Sequence, residues 1–338
     1  MVHVSAPGRG GIIGNPSDMY GGTVVSCTIG ERADALVSPS PQLIFDIYGH
    51  FQVLESEADL EYSPELHYLD VAKAVWRYLR KSRFAVEGRL DPAATFHVRA
   101  GSNIPLQAGC AGSTAILMGI LAAVLAHFEI DLNRYAFAEL ARDIECHELS
   151  VTCGYQDQYM IAFGGLNAVD LRGKENHEDG PRAPYATVEP LTPHVPRLPF
   201  VLANTGVQRH SGQFHAEPRQ AWEAGDPRRR QGFERVGELG RLGKRALLDG
   251  NWAWLGELMN ENCEIVRDLI GCGEANERLI EAALAAGALG AKLSGAGRGG
   301  TIIALHEDPE WMGQRLLAAG AERLLWLEPG VGLEVKRI

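Results

Sequence analysis

The spacing of hydrophobic and polar residues predicts a chain in which strands and helices are mixed from end to end. Val2, Val4 and Ala6 alternate with polar residues, as in a half-buried strand, and residues 7–11 are expected to break that strand. Apolar residues at helical intervals predict an amphipathic helix over 68–83. Further helices are predicted over 116–128, 133–149, 252–269, 276–286 and 309–319. Further strands are predicted over 23–29, 43–54 (a strand or hairpin), 95–100, 166–171, 200–204, 301–305 and 324–335 (a strand or pair).

A change in composition predicts where the chain divides. Residues 173–197 are rich in proline and charge, as in a linker. We therefore expect an N-terminal domain over 1–180 and a C-terminal domain over 190–338.

Composition excludes several classes of partner. The chain has 338 residues and a formal net charge of −11, which argues against nucleic acid or an anionic membrane surface as the main partner. None of the six cysteines forms a Cys-x-x-Cys pair, so free thiols in a cytoplasmic protein are expected. Neither a leader segment nor a membrane-spanning run is expected.

The stretch 101–120 carries the first chemical signal. Small residues from Gly109 to Ala115 lead directly into an apolar helix. Glycines let backbone N–H groups converge, and a helix N-terminus adds partial positive charge, so the stretch could cradle phosphate. The stretch also fits an ordinary N-terminal cap of a core helix, and taken alone it does not distinguish a phosphate cradle from such a cap.

Two further glycine-rich segments, 6–22 and 292–300, flank this one along the chain. The first contains Pro7-Gly8-Arg9, Gly14, Asp18 and Gly21-Gly22; the second contains Pro105, Gly109 and Ser113; the third is Gly295 to Gly300. In order and spacing these segments resemble the three motifs of the GHMP kinases (galactokinase, homoserine kinase, mevalonate kinase and phosphomevalonate kinase). Cys110 stands where that family usually has Leu. The loop is not a Walker loop, because no Gly-Lys-Ser/Thr occurs.

A fourth segment, 154–167, resembles the region with the catalytic aspartate of the sugar 1-kinases in that family. Asp157 then takes the catalytic role, and Glu145, twelve residues earlier, resembles the family's Mg²⁺-binding glutamate. Taken alone, Asp157 also fits an ordinary residue of a solvated turn, and Glu145 fits an ordinary residue on the surface of a helix. Arg9 is expected beside Asp157, where it would stabilise charge on the transferred group.

The resemblance implies an α+β fold of two domains, one like domain 2 of ribosomal protein S5 and one ferredoxin-like, with the active site between them. It implies that ATP is bound by Pro105, Gly109, Ala111, Gly112, Ser113 and Thr114, and Mg²⁺ by Ser113 and Glu145. Gly295 and Gly297 would line the acceptor pocket.

The acceptor is expected to be a sugar or sugar acid phosphorylated on its anomeric hydroxyl. Asp18 matches a sugar-hydroxyl ligand of the galactokinase pattern, but Asn15-Pro16 replaces its Glu-His, which disfavours galactose. This segment and the ATP loop resemble the glucuronokinases, and residues 156–159 also resemble the heptose-phosphate 1-kinases. Arg209 and His210 are candidate contacts for an acidic group.

Two rival functions remain. One is a kinase of this family with a non-sugar acceptor, which Asp18 and the segment 156–159 disfavour. The other is a non-catalytic sugar-sensing relative, which the presence of Ser113, Glu145 and Asp157 disfavours. Either way we expect a cytoplasmic monomer or homodimer acting on a small molecule.

Overall fold

The computed structural model of this chain describes residues 1–63, 67–175, 183–207, 211–295, 297 and 300–338, with the backbone alone at 175 and 211–215. The strands are β1 (Val2–Ile13), β2 (Thr23–Pro39), β3 (Leu43–Ile47), β4 (His50–Leu54), β5 (Phe96–Ser102), β6 (Leu166–Asp170), β7 (Thr187–Pro190), β8 (Phe200–Asn204), β9 (Gly290–Leu293), β10 (Thr301–Leu305), β11 (Arg323–Leu325) and β12 (Glu334–Arg337).

The helices are α1 (Tyr68–Lys81), α2 (Arg83–Val86), α3 (Gly112–His127), α4 (Arg134–His147), α5 (Gln156–Phe163), α6 (Arg172–Glu175), α7 (Ser211–Glu223), α8 (Pro227–Leu248), α9 (Trp252–Leu269), α10 (Glu274–Ala285) and α11 (Pro309–Ala318). Short 3₁₀ turns cover Ser17–Tyr20, Glu57–Leu60 and Thr192–His194. None of the helices described above is long and apolar enough to cross a bilayer.

The first sheet has the order β12-β1-β2-β5-β3-β4, with β6 bridging β2 to β7. Its first strand corrects one prediction: residues 7–11 do not break β1, which runs on to Ile13. The register against β2 shifts between Pro7 and Arg9 and again between Gly11 and Ile13. Such bulges let a strand keep pairing while it absorbs a proline and several glycines. The turn-like composition therefore yields an irregular strand and not a turn.

Helix α3 packs against β1 and β2 as the central element of this unit. Except for Ser113 near its start, its residues are buried from Gly112 to Leu125, and nearly all of them are apolar. A helix that is apolar on every side belongs in a core. The phosphate-cradle candidate is therefore anchored to the most deeply buried helix of the unit.

The second sheet is antiparallel, with the order β11-β8-β10-β9. Numbered within the unit, this order is 4-1-3-2, and helices precede the second and fourth strands, as in a ferredoxin-like βαββαβ unit. A separate apolar core supports it, which includes Val201, Phe233, Leu279 and Ile302. The ferredoxin-like part of the predicted fold is confirmed.

The end of the chain returns to the first sheet. Residues 334–337 pair antiparallel with β1, and the amino group of Met1 donates to the carbonyl of Ile338 at 3.0 Å. The predicted C-terminal domain contained this strand, whereas its hydrogen bonds lie in the first sheet. A β1 edge without a neighbour would expose unpaired N–H and C=O groups, and β12 covers it. The limits 1–180 and 190–338 stay predictions.

Candidate active site

A single pocket gathers most of the residues that the sequence singled out. It lies where the end of β1, the start of α3, the end of α4 and the start of α5 meet residue 295. The predicted residues that line it are Arg9, Asn15, Asp18, Gly109, Ala111, Gly112, Ser113, Thr114, Glu145, Asp157 and Gly295. These positions are spread over almost the whole sequence and converge only in the folded chain.

The loop that leads into α3 has the backbone of an anion cradle. Gly109 and Ala111 both have positive φ, at 72° and 64°, which turns successive peptide groups toward one side. A Cβ on Gly112 would lie 3.3 Å from Ile104, so the chain packs closely here. Pro105 is not among the described residues lining the pocket, and its carbonyl faces Gly112 from behind.

Glu145 is a buried carboxylate on the last turn of α4. Its Oε1 accepts a hydrogen bond from Thr114 Oγ1 at 2.8 Å, and its Oε2 accepts one from Gln158 Nε2. Burial raises the pKa of Glu145 to about 7, because the charged form is poorly solvated there. Ser113, the other predicted Mg²⁺ ligand, is exposed in the pocket, and Thr114 contacts Glu145 directly.

Arg9 and Asp157 form the predicted pair. Arg9 Nε donates to Asp157 Oδ1 at 2.8 Å, and Arg9 Nη2 lies 2.6 Å from the same oxygen. The guanidinium also donates to the carbonyl of Gly109, which ties the phosphate loop to the catalytic candidate. The side chain of Arg9 is 8% exposed and that of Asp157 28%, so the carboxylate is the more open member of a pair that lines the pocket.

Asp18 holds the start of the helix that carries Asp157. Its Oδ2 accepts hydrogen bonds from the backbone N–H groups of Tyr155 at 2.8 Å and Gln156 at 2.9 Å. A side chain at position 154 would collide with that carboxylate, which explains the glycine there. Burial raises the pKa of Asp18 above its ordinary value, and the two backbone donors oppose the shift. Asp18 therefore caps α5 and lines the pocket at the same time.

Asn15 and the third glycine-rich segment join the two units. Asn15 Oδ1 accepts from Lys292 Nζ at 2.6 Å, and Asn15 Nδ2 lies 3.3 Å from the carbonyls of residues 293, 294 and 295. The polar atoms of Asn15 are thus engaged within the protein, although the residue lines the pocket. Gly297 packs toward Gly271 and Leu293, away from the pocket lining. Arg209 lies outside the described residues.

A recess opens beside the pocket, and sequence reasoning missed it. It shares Met19 and residues 151–153 with the pocket and adds Arg142 and Arg219. Arg142 donates to the carbonyl of Gly154 at 3.1 Å and stacks over the ring of Tyr155. Arg219 donates to the carbonyl of Met19 and pairs with Glu223 at 2.7 Å. No local motif marks these arginines, since they come from α4 and α7.

Comparisons with known proteins show which family the chain resembles. Residues 70–165 match the family model of the GHMP kinases N terminal domain, and residues 244–311 match that of the GHMP kinases C terminal. Glucuronokinase 1 of Arabidopsis thaliana is 28% identical over 318 residues, which cover 89% of this chain and 84% of the relative.

Two solved structures share the fold. One is a D-glycero-D-manno-heptose 1-phosphate kinase from Bacteroides thetaiotaomicron, with a TM-score of 0.72, 22% identity and coverage of 100% of this chain and 99% of the other. The second is Lactococcus lactis galactokinase in complex with galactose, with a TM-score of 0.79, 18% identity and coverage of 98% and 95%. With both domain models matched in order and the predicted residues gathered in one pocket, this chain belongs to the GHMP kinase family and is an ATP-dependent phosphotransferase.

Proposed function

We propose that this protein transfers the γ-phosphoryl group of ATP to the anomeric hydroxyl of a sugar acid, with D-glucuronate as the first candidate, and that it does so with Mg²⁺. One observation carries the proposal. A phosphate cradle, a buried carboxylate with a hydroxyl partner, and an Arg–Asp pair line the same pocket. Phosphoryl transfer needs these parts: positioned phosphates, charge neutralisation, and a group that orients the attacking hydroxyl.

The nucleotide phosphates fit the start of α3. The positive φ angles of Gly109 and Ala111 favour convergence of backbone N–H groups there, and the positive end of the helix dipole adds to their effect. Arg9 lies against the carbonyl of Gly109, so its charge reaches the phosphates while it also holds Asp157. In this arrangement Arg9 stabilises the charge that develops during transfer.

The residues present fit Mg²⁺. Hard cations prefer oxygen ligands, and Glu145, Thr114 and Ser113 supply a carboxylate and two hydroxyls at one side of the pocket. Burial makes the charged form of this carboxylate costly, and a bound cation would offset that cost as a proton does, which is compatible with a metal role for Glu145. When bound, the ion would neutralise phosphate charge. We propose Glu145 and Thr114 as its main protein ligands and Ser113 as a weaker, additional ligand.

Asp157 is proposed to orient the acceptor hydroxyl. Its carboxylate is held at one oxygen by Arg9, and the residue lies in the first turn of α5 at the pocket wall. An oxygen of this carboxylate can accept the hydrogen bond of an attacking hydroxyl and take its proton as the new P–O bond forms.

An acidic acceptor is supported by charge. Arg142 and Arg219 line the recess next to Asp18, where the far end of a sugar bound at Asp157 would extend. A guanidinium binds a carboxylate or phosphate strongly in a bidentate manner. The similarity to glucuronokinase 1 supports a uronate. A heptose 7-phosphate is the main alternative, because the same arginines suit its phosphate.

Other candidates have less support. The recess arginines disfavour galactose and other neutral sugars, and Asp18 in the pocket disfavours a non-sugar alcohol. A non-catalytic sugar sensor is disfavoured because Arg9, Glu145 and Asp157 are all in place. We expect a cytoplasmic monomer or homodimer with a small-molecule substrate and no nucleic-acid or membrane partner.

The test is an acceptor panel. ADP release is measured with Mg²⁺-ATP and D-glucuronate, D-galacturonate, heptose 7-phosphate, galactose, fucose and mevalonate, and the phosphorylated carbon is assigned by ³¹P NMR. A sugar 1-phosphate from a uronate supports the proposal. Turnover of heptose 7-phosphate alone selects the alternative, and ATP binding with no turnover of any acceptor revives the sensor.

Arg219→Ala examines the recess separately. Loss of one charge-assisted contact should raise the KM for the acidic sugar by roughly tenfold or more, with a smaller effect on kcat. Arg228→Ala is the matched control, because Arg228, in the first turn of α8, forms an exposed ion pair with Asp268 of α9 and lines neither the pocket nor the recess. An unchanged KM in Arg219→Ala would remove the recess from the acceptor site.

A further inference from the structure

Two thiols meet beside the Glu145 carboxylate, and the proposed phosphoryl transfer uses neither of them. Cys146 follows Glu145 on α4, and Cys153 lies in the segment before α5. Both are free cysteines, and their Sγ atoms are 3.6 Å apart. Both residues are partly exposed, so a small solute can reach them. A paired arrangement of this kind is a candidate for oxidation.

We propose that Cys146 and Cys153 form a reversible redox site at the rim of the active site, with hydrogen peroxide as its oxidant. One thiolate attacks the O–O bond; its sulfur is oxidised to a sulfenic acid, and the other peroxide oxygen leaves as water after protonation. The second thiol then attacks that sulfur, the S–S bond forms, and a second water leaves. Two thiols and one hydrogen peroxide thus give one disulfide and two waters.

The surroundings allow the bond to close. A disulfide needs the sulfurs about 2.0 Å apart, so they must approach by roughly 1.5 Å. Cys146 is fixed on a helix, but Cys153 lies outside regular structure and can shift with its loop. Arg142 Nε holds the next carbonyl, that of Gly154, which keeps Cys153 on the side of α4.

Bond formation would act on the metal-site candidate. Cys153 Sγ lies 3.9 Å from Glu145 Oε2 and 3.7 Å from Gln158 Nε2, and Gln158 itself donates to Glu145. Moving Cys153 toward Cys146 withdraws it from both groups. It also pulls on the segment whose N–H groups, at 155 and 156, hold Asp18 and the start of α5. The disulfide form should therefore bind Mg²⁺-ATP more weakly.

The test combines peptide mapping with Mg²⁺ titration. The protein is treated with stepwise hydrogen peroxide and mapped without reduction. We expect a Cys146–Cys153 cross-linked peptide pair that is about 2 Da lighter than the two thiol peptides. The concentration of Mg²⁺ needed for half-maximal ADP release should rise roughly tenfold, as for other loss of support around a metal ligand. Dithiothreitol should reverse both changes.

Variants identify the thiols responsible. Cys146→Ser should retain basal activity and lose the response to peroxide. Cys263→Ser should keep the response, because Cys263 and Cys272 form a buried pair in the second unit. If Cys146→Ser fails to fold, mapping of the unaltered protein before and after dithiothreitol still decides the question.

Two results would overturn the inference: the thiols remain unbridged at peroxide levels that oxidise exposed methionine, or the bridge forms and the Mg²⁺ dependence does not change. The effect on turnover rests on the proposed function, whereas the bond does not. If no acceptor is turned over, Mg²⁺-ATP binding measured by calorimetry with and without the bridge replaces the activity readout.

Discussion

Two polar clusters lie near the end of β1, and their charges are organised in opposite ways. The active-site cluster consists of Arg9, Asp18, Thr114, Glu145 and Asp157, so three carboxylates accompany one guanidinium. The inter-sheet cluster consists of Asn15, Asn262, Lys292 and Ser294, so one ammonium is surrounded by neutral groups.

The two clusters also differ in where their hydrogen bonds go. In the inter-sheet cluster, Lys292 donates to Asn15 Oδ1 and the carbonyl of residue 293, Asn262 accepts from the N–H of Gly14, and Ser294 accepts from that of Gly11. Its members are 5% exposed or less. The active-site cluster instead leaves carboxylate oxygens facing a pocket. A closed network of this kind holds the two sheets together, whereas carboxylate oxygens that face a pocket fit the proposed binding of Mg²⁺ and phosphate there.

The largest expected effect is that of Asp157→Asn. The amide keeps the shape but loses the charge and the proton acceptor, so kcat for ADP release should fall roughly 10²- to 10⁴-fold, with little change in ATP binding. Asp268→Asn, which alters an exposed Asp–Arg pair, should leave kcat unchanged. Full activity in Asp157→Asn would show that the active-site cluster is another structural network.

Glu145→Gln removes one of the three carboxylates of the active-site cluster and so tests whether that negative charge binds Mg²⁺. Apparent Mg²⁺ affinity should fall by roughly 10- to 100-fold. In the unaltered protein that affinity should increase as the pH rises through about 7, because the raised pKa of Glu145 means that Mg²⁺ must displace a proton there.

The stability of the metal-free fold should depend on pH in the opposite direction to the Mg²⁺ affinity. A carboxylate whose pKa rises from 4.5 to about 7 on folding stabilises the metal-free fold fully only below 4.5, and this contribution is lost as the pH rises to 7. Mg²⁺ titrations at pH 6, 7 and 8, with Glu61→Gln as an exposed control, measure the first effect. A pH-independent Mg²⁺ requirement would contradict the assignment.

Thr114→Val and Ser113→Ala separate the two hydroxyls. Valine keeps the shape of threonine but leaves Glu145 Oε1 without its donor, so Mg²⁺ affinity should fall by about tenfold. Ser113→Ala should change it less, since Ser113 is exposed and Thr114 makes the contact. The reverse order in the Mg²⁺ titrations would restore Ser113 as the principal ligand.

Lys292→Met examines the inter-sheet cluster and should act on stability more than on turnover. Burial lowers the pKa of Lys292 from 10.5 to about 7, so between these values the unfolded chain holds a proton that the folded chain lacks. Stability from this group therefore grows as the pH rises from 7 to 10.5.

Between pH 7 and 9.5 the unaltered protein should gain up to about 3 kcal/mol relative to Lys292→Met in urea unfolding. Lys244→Met, at a half-exposed lysine paired with Glu189, is the control and should keep the pH dependence of the unaltered protein. Parallel pH profiles for the unaltered protein and Lys292→Met would mean that Lys292 stays charged in the fold.

Regular elements with a clear apolar pattern were predictable. Helix α9 has the predicted limits, α1 ends two residues early, and the segment 43–54 is a hairpin. The error at 7–11 arose because proline and glycine usually end strands, whereas here pairing with β2 and the bulges outweigh that preference. Local composition cannot report a partner strand that stabilises an irregular backbone.

The sequence allowed most residues of the candidate site to be predicted, but fewer of the contacts between them. The Arg9–Asp157 pair and the pocket position of Glu145 agree with expectation. The contact of Thr114, not Ser113, with Glu145 depends on which face of α3 meets α4. The hydrogen bonds from Asp18 to the start of α5 likewise follow from packing between distant segments.

The order of the three glycine-rich segments, the apolar helix after the second, and the acidic and basic residues available for phosphoryl transfer are all readable from the amino-acid sequence. The packing of the chain settles which of those residues share a pocket and which hold the two sheets together, and it brings two arginines and two thiols beside the site. Spacing along a chain fixes local conformation, whereas contacts between residues more than a hundred positions apart depend on how helices and sheets pack.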